Sequence, residues 1–570
     1  MIHSGDTIDA KEGYDTLKIY TDAAFTAGTT PLPQLTSVEK LDIQTTEAVT
    51  YNNDIKGVVE LYTNSNGANK NVAVGANLKE LTKLTVDNFG GTVGVNFTNS
   101  SLKDVTLSKV GASVVTVTAA ADQDVAVNLK DVVNTADFNF ATGTKLALNL
   151  GGESDSLKLA SATLKELTLS GNAASANIEL KAATNALTKF TNNYNGDLTL
   201  TLAANAGLSD VKLGSGNDKV IVGAYAGKVD GGAGDNMVVI KAASDAITMD
   251  TAKYTNFNQL GLDMTGAGGA VTADAAGLAK VELTTDLAQA LTINNVAAGS
   301  TLVLKDTDAV TSVTAVIQKD SEEANANDVL NVNVVSGTVA ALTAAKFETV
   351  NITTGEQAAT LTAATFADAT TINVSGDQNL TLADGLTAVK LTTLNASNLT
   401  GVLSVDVSGL TTVKTVNGGA GNDAITFSVD SNVDLTGGAG DDRFIQKAAA
   451  AAGSTDQFVT IKDFAKGDSL VVKGKGTATK VDAKIELAHS MNPDETSKAF
   501  TFLDYVNKAV AGDGNTNSIT SWFQYNGDTY VVTDVTAGAT FDVTDSIIKL
   551  AGLHDLSLSA SGTDVTVTIA

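Results

Sequence analysis

Asp423 and Asp442 stand 19 residues apart, each closing a glycine-rich run of the same design. The design is GGxGxDxUx, with U a large apolar residue. Gly418, Gly419, Gly421, Asp423 and Ile425 fill the first copy, and Gly437, Gly438, Gly440, Asp442 and Phe444 fill the second. Glycines admit backbone conformations of positive φ, which can turn carbonyl oxygens inward toward a shared centre. The aspartates add carboxylate oxygens, completing the all-oxygen shell that a hard cation such as Ca2+ takes. The eighth position then starts a short strand whose apolar side chain is expected to point into the core.

This is the calcium-binding nonapeptide of parallel β-rolls, where two nonapeptides make one coil of about 18 residues. Copies 18 or 19 apart therefore stack on one edge, and a calcium ion can sit between them. A second pair lies upstream: Gly214, Gly216 and Asp218, then Gly231, Gly232, Gly234, Asp235 and Asn236. Leu213 takes its first glycine position, and Asn236 replaces the second aspartate. A weaker instance opens the chain, with Gly5, Asp6 and Ile8 followed by Gly13, Asp15 and Leu17. Ala10 and Lys11 stand there where the pattern wants glycines, and taken alone this instance reads as a plain turn. Asp463 and Asp468, in the run KDFAKGD, complete the candidate metal ligands, although a turn between two strands explains them nearly as well.

The elements that must position these loops are strands. From about residue 30 to 410 the chain returns to one phrase, a leucine or phenylalanine, two spacers, an apolar residue, then alternation: LKELTKLTV from Leu78, LKELTLSGN from Leu164, FETVNITT from Phe347, LTTLNAS from Leu391. Period-2 alternation in short runs bounded by Gly, Asn, Asp and Ser predicts strands. Recurrence at roughly 20-residue spacing predicts coils that bury a shared core by stacking. The expected fold is all-β, an elongated, mainly parallel β-solenoid or β-roll. A leucine-rich-repeat solenoid is the architectural alternative, since Leu164, Leu167, Leu169 and Asn172 fit that template.

Three regions are expected: a β-solenoid over 1–210, a middle solenoid carrying the degenerate pair over 211–410, and the calcium repeats with a C-terminal region over 411–570. In the last, Asn492, Pro493 and Glu495 predict a helix start, with Phe502, Tyr505, Val506, Ala509 and Val510 at helical spacing and Gly512 as the stop. Asn526-Gly527 predicts a tight hairpin in SWFQYNGDTYVV, and Trp522, Phe523, Tyr525 and Tyr530 a small core.

Composition narrows the function. With 64 acidic and 37 basic residues the net charge is -27, and Arg443 is the single arginine. Such a surface repels nucleic acid and anionic headgroups and attracts divalent cations. No cysteine is present, so burial, backbone pairing and metal must supply stability. No stretch reaches the 18 apolar residues of a membrane-spanning helix, and the first residues do not read as a secretory signal.

From about residue 411 onward the sequence resembles Caulobacter-type RTX surface-layer proteins of Gram-negative bacteria. The resemblance rests on the nonapeptides, on KDFAKGD and on the run from Ala511 to Leu553. GDTIDAKEGYDTL at the start and the FETVNI-like phrases share the family's style. The resemblance implies a secreted protein that folds with calcium and assembles with copies of itself into a planar lattice, the S-layer, on the cell surface. It implies export by a type I ABC transporter reading an uncleaved C-terminal signal. It also implies a lipopolysaccharide anchor in an N-terminal region, which these residues, opening directly at the repeat-like stretch, are expected to lack.

An enzyme is disfavoured. His3, His489 and His554 form no HExxH, no GxSxG occurs, and no thiol exists to act as nucleophile. A secreted RTX adhesin or other calcium-dependent binding module is the alternative function.

Overall fold

The computed structural model describes residues 6–570 apart from 66–68, 112–113, 134–136, 205–206, 242–245, 287–288, 306–311, 318–326, 430–431, 449–454, 456–457, 475–479, 488–498, 512–517 and 536–539. The chain is nearly all β, with 51% of it in strands, and winds as a parallel β-solenoid of about 18 turns; among the described residues one helix is present, in the small C-terminal region. It divides into two compact units, Met1–Lys241 with Met249–Gly261, and Ala242–Thr248 with Leu262–Ala570.

In the first unit each coil lays one strand on each of two faces. On one face Leu41, Leu61, Leu84, Val105, Val127, Leu148 and Leu169 fall in parallel register on successive coils. On the other, Tyr51, Val74, Val95, Val117 and Phe140 do the same. All are buried. Strands of Val, Leu, Ile and Thr alternate, so every second residue enters this core and the next faces out. Outward positions here carry charge ladders of alternating sign: Lys40, Glu60 and Lys83 pair at 2.7 and 3.4 Å, and Asp124–Lys145 and Glu166–Lys189 each at 3.3 Å.

The second unit repeats the plan with different outward chemistry. Leu330, Val350, Ile372, Leu394, Val416, Leu435 and Ile461 form one fully buried column. Leu361, Leu382, Val405, Ile425, Phe444 and Leu470 form that of the other face. Outward from the first column runs an asparagine ladder, Asn331, Asn351, Asn373, Asn395 and Asn417, in register on five coils. Asn351 Nδ2 donates to Asn331 Oδ1 at 2.9 Å, Asn373 to Asn351 at 2.9 Å and Asn417 to Asn395 at 3.3 Å. Identical amides stacked on parallel strands satisfy one another, as in cross-β ladders.

The leucine-rich-repeat alternative fails because the second half of each coil is another strand. Leu78, Leu164, Phe347 and Leu391, which open the recurring phrases, are buried beside those strands.

The C-terminal residues finish the second unit. Val459–Ile461 pairs in parallel with Ser546–Leu550, to which the hairpin of Ile519–Tyr525 and Asp528–Asp534 adds antiparallel. Asn526 and Gly527 both have positive φ, as a type I′ turn demands. The helix spans Phe502–Ala509 and is capped by a reciprocal box in which Thr501 Oγ1 accepts from the Asp504 amide and the Asp504 carboxylate accepts from the Thr501 amide. Asn492, Pro493, Glu495 and Gly512, which carry the predicted start and stop, lie outside the described residues. Val506, Ala509 and Val510 pack on Phe523, Tyr530, Val532 and Ile547. Trp522 alternates to the opposite side of its strand from Phe523, beneath the Lys484 ammonium at 5.3 Å.

Candidate metal centre

The nonapeptide loops stack on one edge of their coils, as their spacing predicts. Ile425, Phe444 and Leu470 are in register and buried, so the eighth position of the pattern does enter the core. The glycines divide by role. Gly438 and Gly440 have φ of +105 and +119°, as do Gly232 and Gly234 at +77 and +103°, whereas Gly418, Gly419, Gly421, Gly437, Gly214, Gly216 and Gly231 have no positive φ. Positive φ thus accounts for some of the motif glycines and close packing for the others. At Gly437 a methyl group would collide with the Asp442 carboxylate, and at Gly418 with that of Asp423 and the Gly437 carbonyl. Glycine there makes room for a side chain folded back over its own loop.

Each folded-back carboxylate ties two coils together. Asp423 Oδ2 accepts from the Gly419 amide at 2.5 Å, and Oδ1 from Leu403 of the preceding coil at 2.7 Å. Asp442 Oδ1 accepts from the Asp423 amide at 2.8 Å. Asp468 Oδ1 accepts from the Asp442 amide at 2.9 Å, and its Oδ2 from Ala465 at 2.8 Å. Asp463 spans the Gly437 and Gly438 amides at 2.9 and 2.8 Å. KDFAKGD is therefore a third loop on the same edge, with Asp468 in the place of Asp442 one coil on.

Asp423, Asp442 and Asp468 are all buried, at 1, 2 and 3% exposure. Among the described residues none of them, nor Asp463, pairs with a basic side chain; the nearby Lys447 and Lys462 pair instead with Asp406 and Asp434. Burial pushes the Asp442 carboxyl up to about 7, with the charges of Asp423, Asp468 and Asp463 adding to it against one opposing amide. Burial also raises Asp423. A carboxylate has about four lone-pair sites and these use at most two for amides, so acceptor capacity is left over. Among the described residues no three His, Cys, Asp or Glu side chains converge on one point. A cation in this column would be held by pairs of aspartates and by backbone carbonyls such as those of Gly419 and Gly421, over which Gly438 and Gly440 are stacked. That donor set suits a hard ion and excludes a soft one.

The upstream pair keeps the staple and loses the charge. Asp218 Oδ1 accepts from the Leu198 amide at 2.9 Å, and Asn236 Oδ1 from the Asp218 amide at 2.9 Å. The Asn236 amide group donates to the Asn256 carbonyl at 3.1 Å. Asp218 is thus the one carboxylate of the Asp218–Asn236 pair; burial pushes it up to about 6, opposed by the Leu198 and Gly214 amides. Asp235 is exposed, accepting from Asn258 Nδ2 at 2.8 Å, and does not join Asp218.

At the N-terminal instance the structure supplies a turn. Gly13 has φ +134° and Lys11 φ +75°. The Asp15 amide donates to Glu39 Oε2 at 2.8 Å, and Asp15 Oδ2 has no partner. Asp6 takes part through its carbonyl, which accepts from Gln34 at 2.7 Å; Gly5 lies outside the described residues.

One staple escaped the sequence reading. Asp155 is fully buried, with Oδ1 on the Val132 amide and Oδ2 on the Gly151 amide, both at 2.9 Å, the geometry of Asp423. Its signal is GGESD at 151–155, the same motif one residue short. A second column also passed unnoticed at the fifth position, where Asn217 Oδ1 accepts from the Asp235 amide and Asn422 Oδ1 from the Asp441 amide, each at 2.9 Å.

No model of a known protein family matches this chain, and a search of the curated proteins finds no match.

Proposed function

We propose that this chain is a calcium-stabilised β-solenoid that assembles with copies of itself into a two-dimensional surface layer on a Gram-negative cell. The observation that carries the calcium half is the column Asp423–Asp442–Asp468, with Asp463 at its rim: buried like charges without a basic partner. Burial favours the neutral form of Asp423 and Asp442, and a bound cation is the alternative to a proton there. Calcium would be held between successive aspartates, Asp423 with Asp442 or Asp442 with Asp468, together with carbonyls of the stacked glycine loops. It would supply the positive charge that lets the column ionise while packed.

Because an ion of this kind binds the folded loops and not the extended chain, stability rises with calcium by mass action, by about 2.7 kcal/mol at a hundredfold excess over Kd. Where calcium is scarce the loops stay loose enough for type I export; outside, they close. The -27 charge and the absence of nucleophile and HExxH motifs favour a structural role over an enzymatic one. The lattice, the cell-surface address, the export route and attachment to lipopolysaccharide rest on the resemblance of the region beyond residue 411.

The test is negative-stain imaging with light scattering of the purified chain, in chelator and then in millimolar calcium. Ordered sheets that appear with calcium and dissolve with chelator support the reading. Particles that calcium stabilises but that never associate would make the protein a calcium-dependent adhesin or binding module.

A further inference from the structure

We infer that the asparagine–threonine face of the second unit is a self-contact, the surface through which one copy of this chain meets another. The inference rests on the self-assembly reading and says where that assembly is made. On three consecutive coils the outward columns are Thr349, Thr371 and Thr393 beside Asn351, Asn373 and Asn395, all in register. Every one is half-buried by its neighbours on the face, while the residues between them enter the core. No charged side chain interrupts these columns. Charges lie at the corners that bound the face: at one, Lys390 pairs with Asp368 at 2.7 Å and Glu348 accepts from the Asp328 amide at 2.9 Å; at the other, Glu356 and Asp377 are exposed just past the strand ends.

Two arguments select a second copy as the occupant. The chain carries a net charge of -27, so two copies repel wherever their carboxylates face each other and can approach where none are present. Hydroxyls and amides are both donors and acceptors, so this face is complementary to itself, the requirement of an isologous contact. A face of carboxylates alone lacks that property, and so does the first unit's Lys–Glu ladder unless its register is matched. With strands about 4.8 Å apart and about 3.3 Å per residue, the panel and its flanking strands cover roughly 400 Å2. A stable dimer needs about 800 Å2 per partner. The contact is therefore weak singly and effective when each copy makes several, as in a lattice.

The test places a charge at the centre of the panel. T371E and T371K are prepared in the full chain, with circular dichroism, melting and calcium affinity as folding controls. Each variant alone should need at least tenfold more protein than wild type to assemble in calcium, with calcium affinity unchanged, and an equimolar mixture of the two should recover assembly. Wild-type sheets that both variants match overturn this contact and leave the self-assembly reading intact. Wild type that stays monomeric overturns both. Variants that assemble normally but lose retention on dextran, where wild type is retained, would assign the panel to a glycan and refute the self-contact.

Discussion

The two stapled columns, Leu198–Asp218–Asn236 and Leu403–Asp423–Asp442–Asp468, use one hydrogen-bond scheme and differ in charge. In both, the sixth residue of a loop accepts the amide of the coil before it. That task needs only an oxygen, and the Asn236 carboxamide performs it as well as the Asp442 carboxylate, at 2.9 against 2.8 Å. What the amide cannot do is stack charge on charge. The difference separates two functions folded into one motif: the staple is structural and present in both columns, whereas the unbalanced charge that calls for a cation belongs to the C-terminal column.

The comparison breaks most severely under D423A with D442A, which removes staple and charge together. Stranded amides and lost ligands should cost on the order of 3–5 kcal/mol in calcium and erase the calcium dependence of unfolding, measured in urea. A wild-type response to calcium in that double variant would remove the column from the account.

Next in size is G437A. The added methyl meets the Asp442 carboxylate, which must leave its fold over the loop. A loss of about 2–3 kcal/mol in calcium, greater than in chelator, is expected from denaturation curves. G268A, where a Cβ has open space, is the control.

The pH response sharpens the comparison without mutation. Asp442, raised to about 7, and Asp218, raised to about 6, hold protons in the folded chain that the unfolded chain releases near pH 4. Without metal, stability should therefore be highest below about pH 4 as far as these groups are concerned, and fall as pH rises through 6 and 7. At about 1.4 kcal/mol per pKa unit the two groups set a ceiling of about 7 kcal/mol, which solvent screening reduces to on the order of a few kcal/mol. Calcium favours the ionised form and should restore, at pH 7 and above, the stability lost over that rise, with protons released on binding. Melting temperatures across pH 4–8, in chelator and in calcium, measure both.

The smallest effect is expected from N236D, which rebuilds the charge upstream. In chelator it should destabilise the first unit by about 1–2 kcal/mol, and calcium should return that loss. If calcium has no effect on N236D, charge at the sixth position is insufficient to make a site.

Much of this architecture was written in the sequence. The alternation around Leu84, Leu169 and Ile352 marks strands because a pleated chain shows its faces in turn, and the 19-residue offset of Gly418 and Gly437 places them on one edge because it matches one coil. Other features depend on what stacks above and below. Asp155 sits in a shortened motif, and its role appears only when the Val132 amide of another coil is seen beneath it. The Asn331–Asn417 ladder recurs at 20, 22, 22 and 22 residues, yet its amide-to-amide bonds appear only once the coils are stacked. The helix Phe502–Ala509 is capped where Thr501 and Asp504 bond each other, a four-residue signal readable in the sequence, while the Asn492-Pro493 signal lies outside the described residues.

The most direct test is thermal unfolding of wild type and D442N, each in chelator and in millimolar calcium at pH 7.5. The carboxamide of this variant would keep the staple, as that of Asn236 does, and drop the charge. The account predicts opposite signs: D442N melts higher than wild type in chelator and lower in calcium. A variant that follows wild type in both conditions, or one that loses stability equally in both, would show that Asp442 is a staple alone and that the C-terminal column is not a cation site.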